Sequence, residues 1–129
     1  MTERPSPSDR GPLLAWQLEL YPNNHADRRN LILHVLTVPL FMLGGVALVV
    51  GVAALDVWIA LAGLAAMPVA MALQARGHRL ETTPPVPFRG PGDVVARIFA
   101  EQWLTFPRFV LAGGFARAWR AAKAQPGSQ

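Results

Sequence analysis

The chain has 129 residues, enough for one domain, and 52% of them are hydrophobic against 16% charged. Twelve Lys and Arg against eight Asp and Glu give a formal charge of +4, but the basic residues flank apolar segments and form no stripe with interleaved aromatics, which argues against nucleic acid as a partner. The absence of cysteine excludes disulfides, thiolate metal sites and cysteine nucleophiles.

Residues 1–12 hold Pro, Ser, Arg and acidic groups with no apolar periodicity, and a disordered leader is expected there. The stretch lacks the apolar core and small-residue cleavage site of a secretory signal. Residues 13–21, with Leu13, Trp16, Leu18 and Tyr21, suit a helix or turn at a membrane–water boundary. No charged residue occurs between positions 31 and 55, and at a rise of about 1.5 Å per residue such a run crosses a hydrocarbon core of about 30 Å. Asp56 interrupts, and residues 57–73 are again uncharged. The two runs predict a transmembrane helical hairpin that turns near Asp56. Arg28 and Arg29 precede it, Arg76 and Arg79 follow it, and its turn has no basic residue, so the positive-inside rule puts both termini in the cytoplasm. Gly44, Gly45, Gly51 and Gly63 allow close helix approach, and a homodimer face is one use for them.

Residues 82–93 are rich in Pro and Gly and predict a loop, with Asp93 as the N-cap of the next helix. The following apolar stretch holds Arg97, Glu101 and Arg108. Each would cost about 2.5–3.5 kcal/mol at bilayer depth, so a third crossing is not expected. Two shorter helices, 94–106 and 108–123, separated at Pro107, are expected to lie along the interface or form a re-entrant pair. Arg97 and Glu101 are four apart and read as a surface ion pair. Trp58, Trp103, Phe106 and Phe109 read as aromatic belts. Residues 124–129 read as a disordered tail. The expectation is an all-α integral membrane protein with one domain over residues 13–123.

All three histidines fall at the cytoplasmic mouths of the predicted spans. His25 and His34 bracket the start of the first, and His78 ends the second. On a helix Asn30 and His34 share a face, as do His78 and Glu81. His25 and His34, nine apart, would point in opposite directions on one helix. They meet only if the helix starts after His25, for instance with Asp27 as N-cap, so that residues 21–26 fold back over the mouth. His25, Asn30, His34, His78 and Glu81 then form one set. Imidazole and carboxylate without sulfur suit Fe(II) or Zn(II). A single interfacial histidine is more commonly a hydrogen-bonded polar residue or a headgroup contact, but here every histidine converges on one place.

The stretch Tyr21-Pro-Asn-Asn-His25-Ala-Asp-Arg-Arg-Asn30-Leu-Ile-Leu-His34-Val-Leu-Thr-Val-Pro39 and the block Gln74-Ala-Arg-Gly77-His78-Arg-Leu-Glu81, followed by Pro84-Pro85, resemble the Mpo-like family. Its characterised eukaryotic members are small membrane proteins that act as iron(II)-dependent dioxygenases on 2-hydroxy fatty acids. The resemblance runs from about residue 16 to 111. Glu81 lies one residue nearer the Gly-His pair than in the family pattern, and Val86 stands where alanine is usual. The resemblance implies His25, His34 and His78 as iron ligands, with Glu81 and Asn30 completing or orienting the site. It implies α-oxidation, in which a 2-hydroxy fatty acid and O₂ give a fatty acid one carbon shorter. Tyr21, Arg76 and Arg79 are the candidates for holding that substrate, with Arg89 a further one for its carboxylate. Two other readings compete: a non-catalytic hairpin that shapes lipid or scaffolds a partner, and a zinc-dependent hydrolase with Glu81 as base.

Overall fold

The computed structural model describes residues 10–123, and these are all-helical with no strand among them. Helix α1 (Leu13–Asn24) leads into α2 (Arg28–Ala53) and α3 (Val57–His78). A connecting segment follows, then α4 (Pro91–Ala100), a π-helical turn (Glu101–Thr105), α5 (Phe106–Leu111) and α6 (Gly114–Lys123). Residues 1–9 of the expected leader and all of the expected tail lie outside the described residues.

Helices α2 and α3 form an antiparallel hairpin, as their close approaches show. Gly77 meets Asn30, Gly63 meets the backbone of Gly44, and Gly51 meets the backbone of Ala60. A Cβ on Gly63 would run into the Gly44 carbonyl and the Leu48 amide, so the helices can touch only because that position carries no side chain. Asp56 caps α3 by accepting hydrogen bonds from the Trp58 and Ile59 amides, at 3.0 and 3.1 Å. Leu55, in the turn, takes a left-handed φ of 56°. Both helices are long and apolar enough to cross a membrane, and only 28% and 17% of their most apolar windows is buried. Most of their Val and Leu side chains therefore face outward, the reverse of a core helix in a soluble protein. Helix α3 runs five residues beyond the predicted 73, because Gln74, Arg76 and His78 continue the helical hydrogen bonding once the apolar run ends.

The other elements gather at one end of this hairpin. Tyr21, Leu31, Val38, Phe106 and Phe109 form the buried core, with Met42, Phe115 and Trp119 packed against it. Phe106 and Phe109 are thus interior residues and not part of an aromatic belt. Phe99 lies edge-on to Phe41, ring centroids 5.5 Å apart, and Trp103 faces Gly45, so the segment from α4 to α5 crosses the hairpin. Arg28 fastens α6, donating to the Trp119 carbonyl at 2.9 and 3.2 Å and lying over its ring.

Two expected boundaries move. Helix α4 begins with Gly90 as N-cap and Pro91 in its first turn, where a missing N–H costs nothing. Asp93 sits inside the helix and takes Arg10 as an ion-pair partner, which ties down the end of the expected leader. The helix does not break at Pro107. The wider π turn before it absorbs the lost amide donor and the ring's bulk, and the break falls at Gly113, whose φ of 82° suits glycine.

Candidate metal centre

Asp27 is the N-cap of α2, its carboxylate accepting from the Arg29 amide at 2.8 Å. The chain therefore reverses just after His25, and the His25 ring folds over the start of α2. It stacks on Tyr21, centroids 3.7 Å apart and planes 11° apart, and meets His34 and His78 edge-on at 4.4 and 4.9 Å. His34 and His78 are 5.0 Å apart. Three imidazoles from three elements thus surround one point, as the spacing predicts.

The fourth member is Glu101, from the π turn. His25, His34, His78 and Glu101 each offer a ligand atom within 4.8 Å of all the others. The Glu101 Oε1 is 3.7 Å from His25 Nε2 and 3.6 Å from His34 Nε2, and it accepts a hydrogen bond from the Tyr21 hydroxyl at 3.1 Å. Glu101 is therefore not the surface partner of Arg97. That guanidinium lies 3.6 Å from Asp93, donates to the Pro87 carbonyl and is sandwiched between Trp16 and Phe88.

The hydrogen bonds define what the cluster lacks. His25 Nδ1 lies 2.9 Å from the Tyr21 carbonyl and His34 Nδ1 3.0 Å from the Asn30 carbonyl. A carbonyl only accepts, so each Nδ1 carries the proton, and in a neutral ring Nε2 is left as a lone pair. Those two Nε2 atoms face each other at 3.2 Å, with Glu101 Oε1, a third acceptor, beside them. Three lone pairs converging in a buried site repel unless a cation lies among them. A proton on His25 is disfavoured, because burial and then the neighbouring His34 push its pKa down to about 3. Burial opposes ionisation of Glu101, and it takes positive charge on the imidazoles, His34 first, to offset this and bring its carboxyl down to about 2, so an ionised carboxylate here calls for a cation beside it, a proton or a metal. Buried His78 Nδ1 has no hydrogen-bond partner.

These features fit a divalent metal ion. Metal–nitrogen bonds of about 2.1 Å separate neighbouring ligand atoms by roughly 3–3.4 Å, close to the spacing of the two Nε2 atoms. An Nδ1–H held by a backbone carbonyl is the usual support behind a ligating imidazole, and a neutral imidazole beside an ionised carboxylate is the form a metal needs.

Glu81 occupies a different place. Its carboxylate accepts from the Ala26 amide at 3.1 Å, the Asp27 amide at 3.0 and 3.1 Å, and the Asn30 side-chain amide at 2.7 Å. It binds the end of α3 to the reversal between α1 and α2, and so orients His25 and His78 without joining the ligand atoms. Asn30 is fully buried behind His34 and also donates to the Asn24 carbonyl. A Cβ on Gly77 would collide with its Oδ1.

A cavity of about 660 Å³ opens beside the cluster, with His25, His78 and Glu101 on its wall and Leu20, Met71 and Ile98 making it largely apolar. Tyr21 and Arg79 also line it, whereas Arg76 and Arg89 are exposed and lie outside its lining. Glu101 carries a signal in the sequence, an acid within an apolar stretch, which its spacing of four from Arg97 masks. No family model, curated protein or solved structure matches this chain.

Proposed function

We propose that this chain is a membrane-embedded non-haem iron dioxygenase that shortens 2-hydroxy fatty acids by one carbon, with both termini in the cytoplasm. The observation that carries the reading is the pair of His25 and His34 lone pairs facing each other at 3.2 Å beside Glu101, at the edge of an apolar cavity. The resemblance of the Tyr21–Pro39 and Gln74–Glu81 segments to the Mpo-like family supports the substrate class.

His25, His34, His78 and Glu101 would hold the iron. When bound, Fe(II) would supply the activation of O₂ beside the hydroxy acid. The chain's own groups do the rest. Leu20, Met71 and Ile98 take the acyl tail and exclude water, and Arg79, which has no ion pair or side-chain hydrogen bond among the described residues, meets the carboxylate. Tyr21 keeps its proton, since burial and then the Glu101 charge raise its pKa well above the usual phenol value, and its hydroxyl holds the Glu101 carboxylate in place. A 2-hydroxy acid and O₂ yield the shorter acid, CO₂ and water, so the substrate supplies all four electrons and no separate reductant is needed.

The test is metal analysis of protein purified in detergent, followed by incubation with 2-hydroxypalmitic acid in air and under argon. Stoichiometric iron and O₂-dependent pentadecanoic acid are expected, and both are lost in His34→Ala. Zinc with no O₂ dependence would point to a hydrolase, although Glu81, the base that reading names, already accepts three N–H groups. Neither metal nor product would leave a structural hairpin.

A further inference from the structure

Behind the metal centre lies a second polar cluster that touches no ligand atom. Gln74 of α3 and Gln102 of the π turn, both almost fully buried, form a reciprocal amide pair: Gln74 Nε2 donates to Gln102 Oε1 at 2.9 Å and Gln102 Nε2 to Gln74 Oε1 at 2.7 Å. Thr105, also buried, donates to Gln17 Oε1 of α1 at 2.7 Å, and Gln17 Nε2 donates to the Arg97 carbonyl at 3.0 Å, one helical turn before Glu101. The π turn is thus tied to α3 at its second residue, to α1 at its last, and to α1 again just before it starts.

We infer that these two buried pairs, Gln74–Gln102 and Gln17–Thr105, act together as a positioning network that aims Glu101 at the three imidazoles. The inference rests on the metal-centre reading above. Pro107 accounts for a wider turn before it, but it does not fix which way that turn faces. Four buried polar side chains are an expensive way to fill a helix interface unless each is paired, and here the pairing fixes the rotation of the one turn that bears the carboxylate. Glu101 has no other anchor on its own segment. The contact it makes besides the histidines is the Tyr21 hydroxyl, and Tyr21 is itself on α1, four residues beyond Gln17. The network and the ligand therefore share α1 as their common frame.

The predicted consequence is graded. Supporting residues behind metal ligands change metal affinity by about 10–100-fold when removed. The full chain in detergent is titrated with Co(II), whose visible spectrum reports the ligand set, and apo-protein melting is followed in parallel. Thr105→Val keeps the shape of the side chain and removes its donor, and Thr105→Ser restores the donor. We expect T105V and Q102L to weaken Co(II) binding at least tenfold and to shift the spectrum toward that of Glu101→Ala, and T105S to return both toward wild type. The double variant Q74L/Q102L leaves no orphaned amide, so it separates loss of aim from loss of folding; it too should show the altered spectrum. If T105V, Q102L and the double variant melt lower but keep the wild-type affinity and spectrum, the network only stabilises the fold and the inference is overturned while the metal centre stands. If wild type binds no Co(II), the metal centre itself fails and the inference with it.

Discussion

At the scale of single residues, two carboxylates take opposite roles, and the one expected at the surface is the one in the cluster. Glu81 accepts three N–H groups and acts as a clasp, whereas Glu101 points its oxygen at two imidazole lone pairs. Glu81→Ala would leave the Ala26 and Asp27 amides and the Asn30 side chain without their acceptor. Of these only the Asn30 amide is fully buried, and a buried unpaired donor costs about 1–3 kcal/mol, so the variant should melt below wild type yet still bind metal at saturating concentration. Loss of all binding at saturation, with the helix content intact, would instead make Glu81 a ligand. The histidines were legible because a hairpin necessarily brings the ends of its two spans together, and because Asp27 signals a helix start between His25 and His34. Glu101 was not, for a physical reason: Arg97 stands four residues away and offers a local partner, and only the crossing of the later segment over the hairpin mouth turns Glu101 away from it.

At the scale of elements, the hairpin depends on positions where a side chain is missing. Gly63→Ala places a methyl against the Gly44 carbonyl and the Leu48 amide, backbone atoms that cannot rotate away. Overpacking of this kind costs about 1–3 kcal/mol. Gly92→Ala, at a position with no atom within 4 Å of the added carbon, should stay within about 0.5 kcal/mol of wild type. Equal melting of the two variants in detergent would contradict the close approach. The small-residue pattern was readable in advance, as were the two long helices. The π turn was not, since hydrophobic periodicity distinguishes helix from strand but does not reveal one wider turn. Proline at 107 marked the disturbance, and its effect fell on the residues before it.

At the scale of the whole molecule, the distribution of apolar surface sets up a test of topology. Leu55 at the hairpin turn is 92% exposed, and Arg117 is exposed on α6 at the opposite end. With no native cysteine to interfere, Leu55→Cys and Arg117→Cys each give a unique label site. On the proposed orientation a membrane-impermeant maleimide added to intact cells marks L55C at once and R117C only after the cells are opened. The reverse pattern would invert the topology, and equal labelling of both before opening would remove the crossing.

The ligand set is also ordered along the chain. His25, His34 and His78 all precede the segment that carries Glu101, and folding during synthesis proceeds from the N-terminus. The growing polypeptide thus presents its three nitrogen donors before the anionic oxygen of the final third emerges. On the metal-centre reading, an ion captured before that moment would meet a softer donor set than the finished protein offers, which puts the order of synthesis among the influences on metal choice.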